Sequence, residues 1–285
     1  MEISIIMATY NRKESLKKSL RSLERLNYPK SKHEIVIVND GSTDDTKEFL
    51  NEKEEEINNL RVFHNQENLG IGATRNKAIE NAKGEYIFCT DDDGIVPEDW
   101  IQQHFERHEK EKVDVVDGIA YPTRINYIEA YKIASHWKDY QSQRILDSYH
   151  TTEVMKTGNL SLKKEILDDV GYFNEDLARG EDTELGKRIL QNGYTILKDP
   201  SLRVEHLRVD GLLDLLKTQY RLGKSLQILN EIHEPVEIER TSDKNYLLEA
   251  WKEYYRYVGL TKFWIFPIIA FASTTTRRLS QREII

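Results

Sequence analysis

Gly84-Glu85-Tyr86-Ile87-Phe88-Cys89-Thr90-Asp91-Asp92-Asp93 is the stretch on which the fold turns. Its apolar centre has the length of a buried strand, and it ends in three carboxylates. A nearly continuous apolar strand belongs in a parallel sheet covered by helices on both faces. Ligands of such sheets bind beyond the carboxyl ends of the strands, so the aspartates stand where chemistry is expected. Adjacent carboxylates repel one another, and a divalent cation or basic partners relieve them. Hard oxygen donors select Mg²⁺ or Mn²⁺. In an extended backbone Asp91 and Asp93 project to one side and Asp92 to the other. A capped, solvated turn is the alternative reading.

Working outward, Ile3-Ser4-Ile5-Ile6-Met7 and Ile35-Val36-Ile37-Val38 read as two further buried strands. Thr9-Tyr10-Asn11-Arg12 follows the first and Asn39-Asp40-Gly41-Ser42 the second, so three polar turns line one crevice. Between the strands, Leu16, Leu20, Leu23 and Leu26 form a helical stripe that Pro29 ends. Ser42 or Thr43 is expected to cap a helix running through Phe49, Leu50 and Ile57. A third helix is predicted over 71–82, with Gly84 as its terminator. Strands are predicted over 113–119, 154–162 and near 195–198, and helices over 181–191 and 212–232. Strands alternating with helices specify an α/β fold.

The 285 residues are 39% hydrophobic and 32% charged, which suits a globular chain with a sizeable core. A mean hydropathy of -0.65 excludes a polytopic membrane protein. A net charge of -8 argues against a nucleic-acid binder, which needs a basic face. The single Cys89 excludes a disulfide framework and fits a reducing compartment. No basic segment precedes the first apolar run, so no signal peptide is expected there.

The set Ala8-Thr9-Tyr10-Asn11, Val38-Asn39-Asp40-Gly41-Ser42-Thr43-Asp44, Asn68-Leu69-Gly70 with Ala73-Thr74-Arg75-Asn76, Asp91-Asp92-Asp93 and Gly180-Glu181-Asp182 resembles family 2 glycosyltransferases. The match runs in order over residues 3–210. It implies the GT-A fold, a Rossmann-like, mostly parallel mixed sheet flanked by helices. Residues 1–93 would form the nucleotide-binding half, 94–210 the acceptor-side half, and 211–285 a helical C-terminal extension. It also implies transfer of a sugar from a nucleotide diphosphate donor with inversion.

Carried over by residue, the resemblance makes Thr9, Tyr10 and Asn11 the wall of the base site. Asp40 resembles the acceptor of a uracil imide N–H, and Arg75 a donor to the base or its phosphates, which favours a UDP-sugar over GDP- or dTDP-sugars. Asp91 and Asp93 match the D-x-D pattern, ribose for the first and metal for the last, with Asp92 beside them. Thr90 stands where the family commonly has an apolar residue. His206 matches a third ligand for Mn²⁺ or Mg²⁺. Gly158 and Asn159 resemble the segment facing the donor sugar, although a turn glycine explains Gly158 equally well. Asp182 matches the general base, and Glu181 would bind acceptor or orient that base. Capping of a helix is the plainer role for both carboxylates.

Rival readings are a sugar-phosphate nucleotidyltransferase, a retaining glycosidase and a binding protein with a dead site. The first needs a glycine-rich loop, and Thr9-Tyr10-Asn11-Arg12 has no glycine. The second needs no contacts to base and ribose.

The chain's end differs from the rest. Over 251–285 six basic residues stand against Glu253 and Glu283, and 263–276 carries no charge. Trp251, Tyr254, Tyr255 and Tyr257 flank that stretch, and Pro267 interrupts it, so a bilayer span is not expected. An interfacial helix on an anionic membrane is one expectation; packing on the core or a homodimer contact is the other. The family resemblance implies a saccharide or lipid-linked acceptor, and the expected location is cytoplasmic, peripheral on the membrane's cytoplasmic face.

Overall fold

A computed structural model describes residues 1–135, 143–147, 155–232, 250, 252, 254 and 265–282. The first half contains β1 (Ile3–Thr9), α1 (Lys13–Glu24), β2 (His33–Asn39), α2 (Thr46–Glu56), β3 (Leu60–His64), α3 (Ile71–Asn81) and β4 (Tyr86–Thr90). There follow β5 (Gly94–Ile95), α4 (Trp100–Glu111), β6 (Val115–Pro122), α5 (Tyr127–Ser135), β7 (Arg144–Leu146) and β8 (Asn159–Lys163). The chain continues through α6 (Lys164–Val170), α7 (Glu181–Gln191), β9 (Ile196–His206), α8 (Leu212–Ile232) and α9 (Ile265–Arg282).

The strands form one mixed sheet in the order β3-β2-β1-β4-β8-β6-β9-β5, with β7 also on β9. β1, β2, β3 and β4 are mutually parallel, as their apolar runs require. β8 is antiparallel to both β4 and β6, and β6 and β9 are parallel. The carboxyl ends of β1, β2, β4, β6 and β9 therefore share one edge, where β8 begins. Thr90 pairs with Asn159 there, which sets Gly158 beside Asp91.

Alternation along each strand builds a layer on each face. Ile3, Ile5, Met7, Ile35, Ile37 and Phe88 meet the leucine stripe of α1 together with α2 and α4. Ile6, Val36, Val38, Ile87 and Cys89 meet α3, α6 and α7. A third apolar cluster lies among helices. Ala130 and Ala134 of α5 pack with Ala250, Tyr254 and Phe266, and Ile128 packs with Leu215 of α8 and Ile269 of α9. Pro267 falls in the first turn of α9, where its missing N–H costs nothing.

Several boundaries depart from the sequence-based reading. α2 starts at Thr46, uncapped by Ser42 or Thr43; Asp44 Oδ1 instead accepts a 3.1 Å hydrogen bond from the Thr46 N–H. α3 closes on an extended Ala82, and the backbone of Gly84 lies against Ile3 and Ser4 with no room for a Cβ. β3 escapes the sequence pattern because it is an edge strand, mostly half-buried and broken by Arg61. β6 runs from Val115 to Pro122, and β8 begins at Asn159. The expected strand start at Val154, most of the 136–149 segment, and Trp251, Tyr255 and Tyr257 lie outside the described residues.

Candidate active site

The three aspartates at the end of β4 have three environments. Asp92 is buried, accepting from the Thr9 hydroxyl at 2.8 Å and from Arg12 Nη1 at 2.8 Å. Burial and the neighbouring Asp93 charge push its pKa up to about 6 against the pull of Arg12. Asp93 takes Arg12 Nη1 at 3.2 Å on Oδ2 and faces His206 Nε2 at 3.2 Å on Oδ1. His206 and Arg12 overcome its burial and hold that carboxyl below the usual range. His206 Nδ1 lies 3.0 Å from the Arg208 carbonyl, which orients the ring. Burial opposes its charge, but Asp93 outweighs it and raises the imidazole to about 8. Asp91 is the most open of the three, at 34% side-chain exposure.

One ligand atom each from Asp91, Asp93 and His206 lies within 4.8 Å of the others. Asp93 Oδ1 is buried and accepts no well-aligned hydrogen bond, although His206 Nε2 is its neighbour. Two hard carboxylates and an imidazole with such an atom fit Mn²⁺ or Mg²⁺. Beside Asp93 opens a cavity of about 400 Å³ lined by Arg12, Ser15, Lys18 and Arg208 among others.

On the opposite face, α7 begins at Gly180, which has φ +88°. That left-handed conformation suits glycine, and it turns the chain so that Glu181 and Asp182 open the helix. Glu181 is buried, and its Oε1 accepts from Arg75 Nη1 at 2.7 Å. Arg75 Nη2 reaches Asp91 Oδ1 at 3.2 Å, so one guanidinium joins the end of β4 to the start of α7. Asp182 is half-buried, its Oδ1 accepting from the Thr183 N–H at 2.7 Å. Burial first, then the Glu181 charge, raise it to about 6 against Arg75 and Arg179.

The other expected residues distribute unevenly around this edge. Tyr10 is exposed at the rim, at 42%. Asn11, with φ +52°, braces the second turn: its Oδ1 accepts from the Thr43 N–H at 2.7 Å. Asp40 is buried and accepts from Asn65 Nδ2 and the Leu69 N–H on Oδ1, both at 2.9 Å. Its Oδ2 accepts from the Gly70 N–H at 3.0 Å. A Cβ on Gly158 would stand 3.0 Å from Asp91 Oδ2, so its bare backbone is what lets the aspartate in. Asn159, expected to face the donor sugar, is committed elsewhere. Its Oδ1 accepts from Trp100 Nε1 at 2.7 Å, with His104 Nε2 at 2.9 Å, and its Nδ2 donates to the Leu202 carbonyl at 3.0 Å. Buried inside the sheet with its polar atoms engaged, its side chain ties α4 to β8 and β9 and does not face the crevice.

Two basic residues of the site escaped assignment from sequence. Arg12 is the cation that the three carboxylates call for, and it stands directly after the first strand. Arg208 follows His206 by two residues and reaches Asp210 at 2.7 Å and Asp214 at 3.0 Å.

The model of the glycosyl transferase family 2 matches residues 4–171, more than half of the chain. The chain belongs to that family. It is 29% identical to the glycosyltransferase AglE of Haloferax volcanii over 223 residues, 78% of this chain and 72% of that protein. It is 30% identical over 206 residues to the poly-β-1,6-N-acetyl-D-glucosamine synthase of Staphylococcus aureus, 70% of this chain and 48% of the synthase. The chain thus spans about half the length of that relative. Among solved structures, the mannosyltransferase PcManGT of Pyrobaculum calidifontis, in complex with GDP-Man and Mn²⁺, superposes with a TM-score of 0.63 at 18% identity. The superposition covers 96% of this chain and 73% of that one, which shows the shared GT-A fold.

Proposed function

We propose that this glycosyltransferase is inverting and metal-assisted, moving a hexosyl unit from a nucleotide diphosphate donor to an acceptor hydroxyl with Asp182 as general base. One observation carries this. A metal-ready trio (Asp91, Asp93, His206) and a separate carboxyl raised to about 6, that of Asp182, stand at one sheet edge, where the Arg75 guanidinium bridges Asp91 to Glu181, the neighbour of Asp182. A base with a pKa near the working pH is ionised yet still accepts a proton.

Asp182 takes the proton of the acceptor hydroxyl while that oxygen bonds to the anomeric carbon. The bond from that carbon to the diphosphate oxygen breaks, and its electron pair leaves with the nucleoside diphosphate. Attack opposite the leaving group inverts the configuration. Asp91, Asp93 and His206 would hold Mn²⁺ or Mg²⁺, which when bound neutralises charge on the departing diphosphate. Arg12, Lys18 and Arg208 add positive potential on that side.

A UDP-sugar is the favoured donor because Asp40 Oδ2 accepts one backbone N–H and keeps a lone pair for a uracil imide. The acceptor is a saccharide or lipid-linked acceptor. A peripheral position on a cytoplasmic membrane face is supported by Ile268 and Phe271, which point outward from α9 in the basic 251–285 segment. Among the described residues no helix is long and apolar enough to cross a membrane.

The test is a panel of UDP-, GDP- and dTDP-sugars scored by thermal unfolding with Mn²⁺ or with EDTA. A donor at 100 times its Kd is expected to add about 2.7 kcal/mol, and only with the metal. Nucleoside diphosphate release with and without acceptor then separates transfer from hydrolysis. Protection by no sugar nucleotide rejects the reading, and transfer indifferent to EDTA rejects the metal.

A further inference from the structure

Arg75 joins two carboxylates that belong to different parts of the site. It projects from α3 and is only 8% exposed. Its two Nη atoms reach Glu181 Oε1 at 2.7 Å and Asp91 Oδ1 at 3.2 Å, and its guanidinium lies 5.6 Å from the centre of the Phe173 ring. The next residue secures the segment that leads to α7. Asn76 Nδ2 donates to the Phe173 carbonyl at 2.9 Å, and the Phe173 N–H returns a 2.9 Å hydrogen bond to Asn76 Oδ1. Asn76 Nδ2 also reaches Glu175 Oε1 at 2.8 Å. One stretch of α3 thereby holds the end of β4 and the entry to α7.

We propose that Arg75 is a positioning residue whose guanidinium clamps Asp91 of the metal trio to Glu181 at the head of α7, fixing the donor side relative to Asp182. The proposal rests on the reading of Asp182 as the base. A guanidinium is the group suited to the task, since its planar fork addresses two carboxylates at once and its charge persists at any working pH. Glu181 Oε2 is buried without a hydrogen-bond partner, so Arg75 is the principal compensation for that carboxylate. The groups that act on Asp182 are Glu181 beside it, which raises its pKa, and Arg75 and Arg179, which lower it. Losing Arg75 would set an uncompensated charge next to the base and release Asp91 together.

Carboxyl NMR of the full-length protein labelled at its aspartate side chains, assigned with Asp182→Asn, reads the clamp without any donor. Arg75→Gln is expected to raise the Asp182 midpoint by about 0.5 unit or more, and Glu181→Gln to lower it. The double variant, which removes both charges, returns it close to wild type. Affinity for UDP or GDP with Mn²⁺ should fall in Arg75→Gln together with that rise, because Asp91 of the metal trio is released at the same time. A loss of about tenfold or more with the Asp182 midpoint unmoved makes Arg75 a nucleotide contact alone and overturns the proposal. Should Arg75→Gln not fold, recovery of folding in the double variant is the expected result, because the unpaired Glu181 is then gone. Failure of the double variant while Glu181→Gln alone folds overturns the clamp. A fully active Asp182→Asn rejects only the base assignment, because the titrations of Asp182 still read Arg75.

Discussion

Asp182 stands in the first turn of a helix, where the dipole and free N–H groups ordinarily favour an ionised carboxylate. Here burial and the adjacent Glu181 win, and the carboxyl rises to about 6. If Asp182 is the base, Asp182→Asn should lower turnover by roughly 10² or more while folding and nucleotide binding survive. If it is a helix cap, the change costs about 1 kcal/mol of stability and leaves turnover intact. The pH profile adds an independent sign. Only the ionised form accepts the acceptor's proton, so kcat should be level above the pKa and fall about tenfold per unit below pH 6. A kcat that stays level down to pH 5 would exclude Asp182. Asp91 and Asp93 stand directly after β4 and His206 closes β9, and both strands end at the same edge, so the family resemblance points to three residues that the fold sets together. The partners of the two arginines could not be read from sequence, since Arg12 and Asp92 lie 80 residues apart and Arg75 and Glu181 lie 106 apart. Nor could the engagement of the Asn159 side chain, whose partners on α4 and β9 are distant in the chain.

At the level of elements, the parallel strands were legible because burial on both faces demands continuous apolar runs, and α7 and α8 because their stripes are regular. β3 was not legible, since an edge strand needs apolar residues on little of its surface. Nor was the service that α8 gives to α7. Ser225 Oγ, buried on α8, accepts from the Arg179 N–H at 3.1 Å, and Leu222 and Leu229 lie about the position a Cβ on Gly180 would take, at 3.5 and 3.6 Å. The loop that leads into α7 and Asp182 is thus backed by α8. Ser225→Ala would leave the Arg179 N–H without its acceptor, at a cost of about 1–3 kcal/mol. The expected result is a several-fold drop in kcat with nucleotide affinity unchanged, together with faster amide exchange at 178–181. Wild-type kcat in a stable Ser225→Ala would show that α8 merely covers the loop.

For the whole molecule, the C-terminal segment is both a packing element and a surface. Phe266 and Ile269 of α9 are buried against α5 and α8, and α5 belongs to the stretch between β6 and β8. Each such side chain contributes roughly 1.5–3 kcal/mol of burial, so a chain ending at 250 should unfold at a lower temperature than the full one. The outward face of the same helix carries Phe271 at 74% and Ile268 at 56% exposure, and Leu213 at the start of α8 is 71% exposed. Arg277, Arg278 and Arg282 follow along the sequence of α9. Apolar side chains that insert shallowly, near basic residues that each add about 1 kcal/mol beside an anionic leaflet, are what a peripheral membrane protein presents. Full-length protein should therefore co-sediment with anionic vesicles at low salt and release as salt screens the arginines. Phe271→Ser with Ile268→Ser should abolish sedimentation without lowering the unfolding temperature, because neither side chain is buried. Those two substitutions separate surface from scaffold, which a truncation cannot do. Should they leave vesicle binding intact but convert a dimer to a monomer, the face is a contact between two copies of the chain. If the wild-type protein ignores anionic vesicles at low salt, the acceptor need not be carried on a lipid.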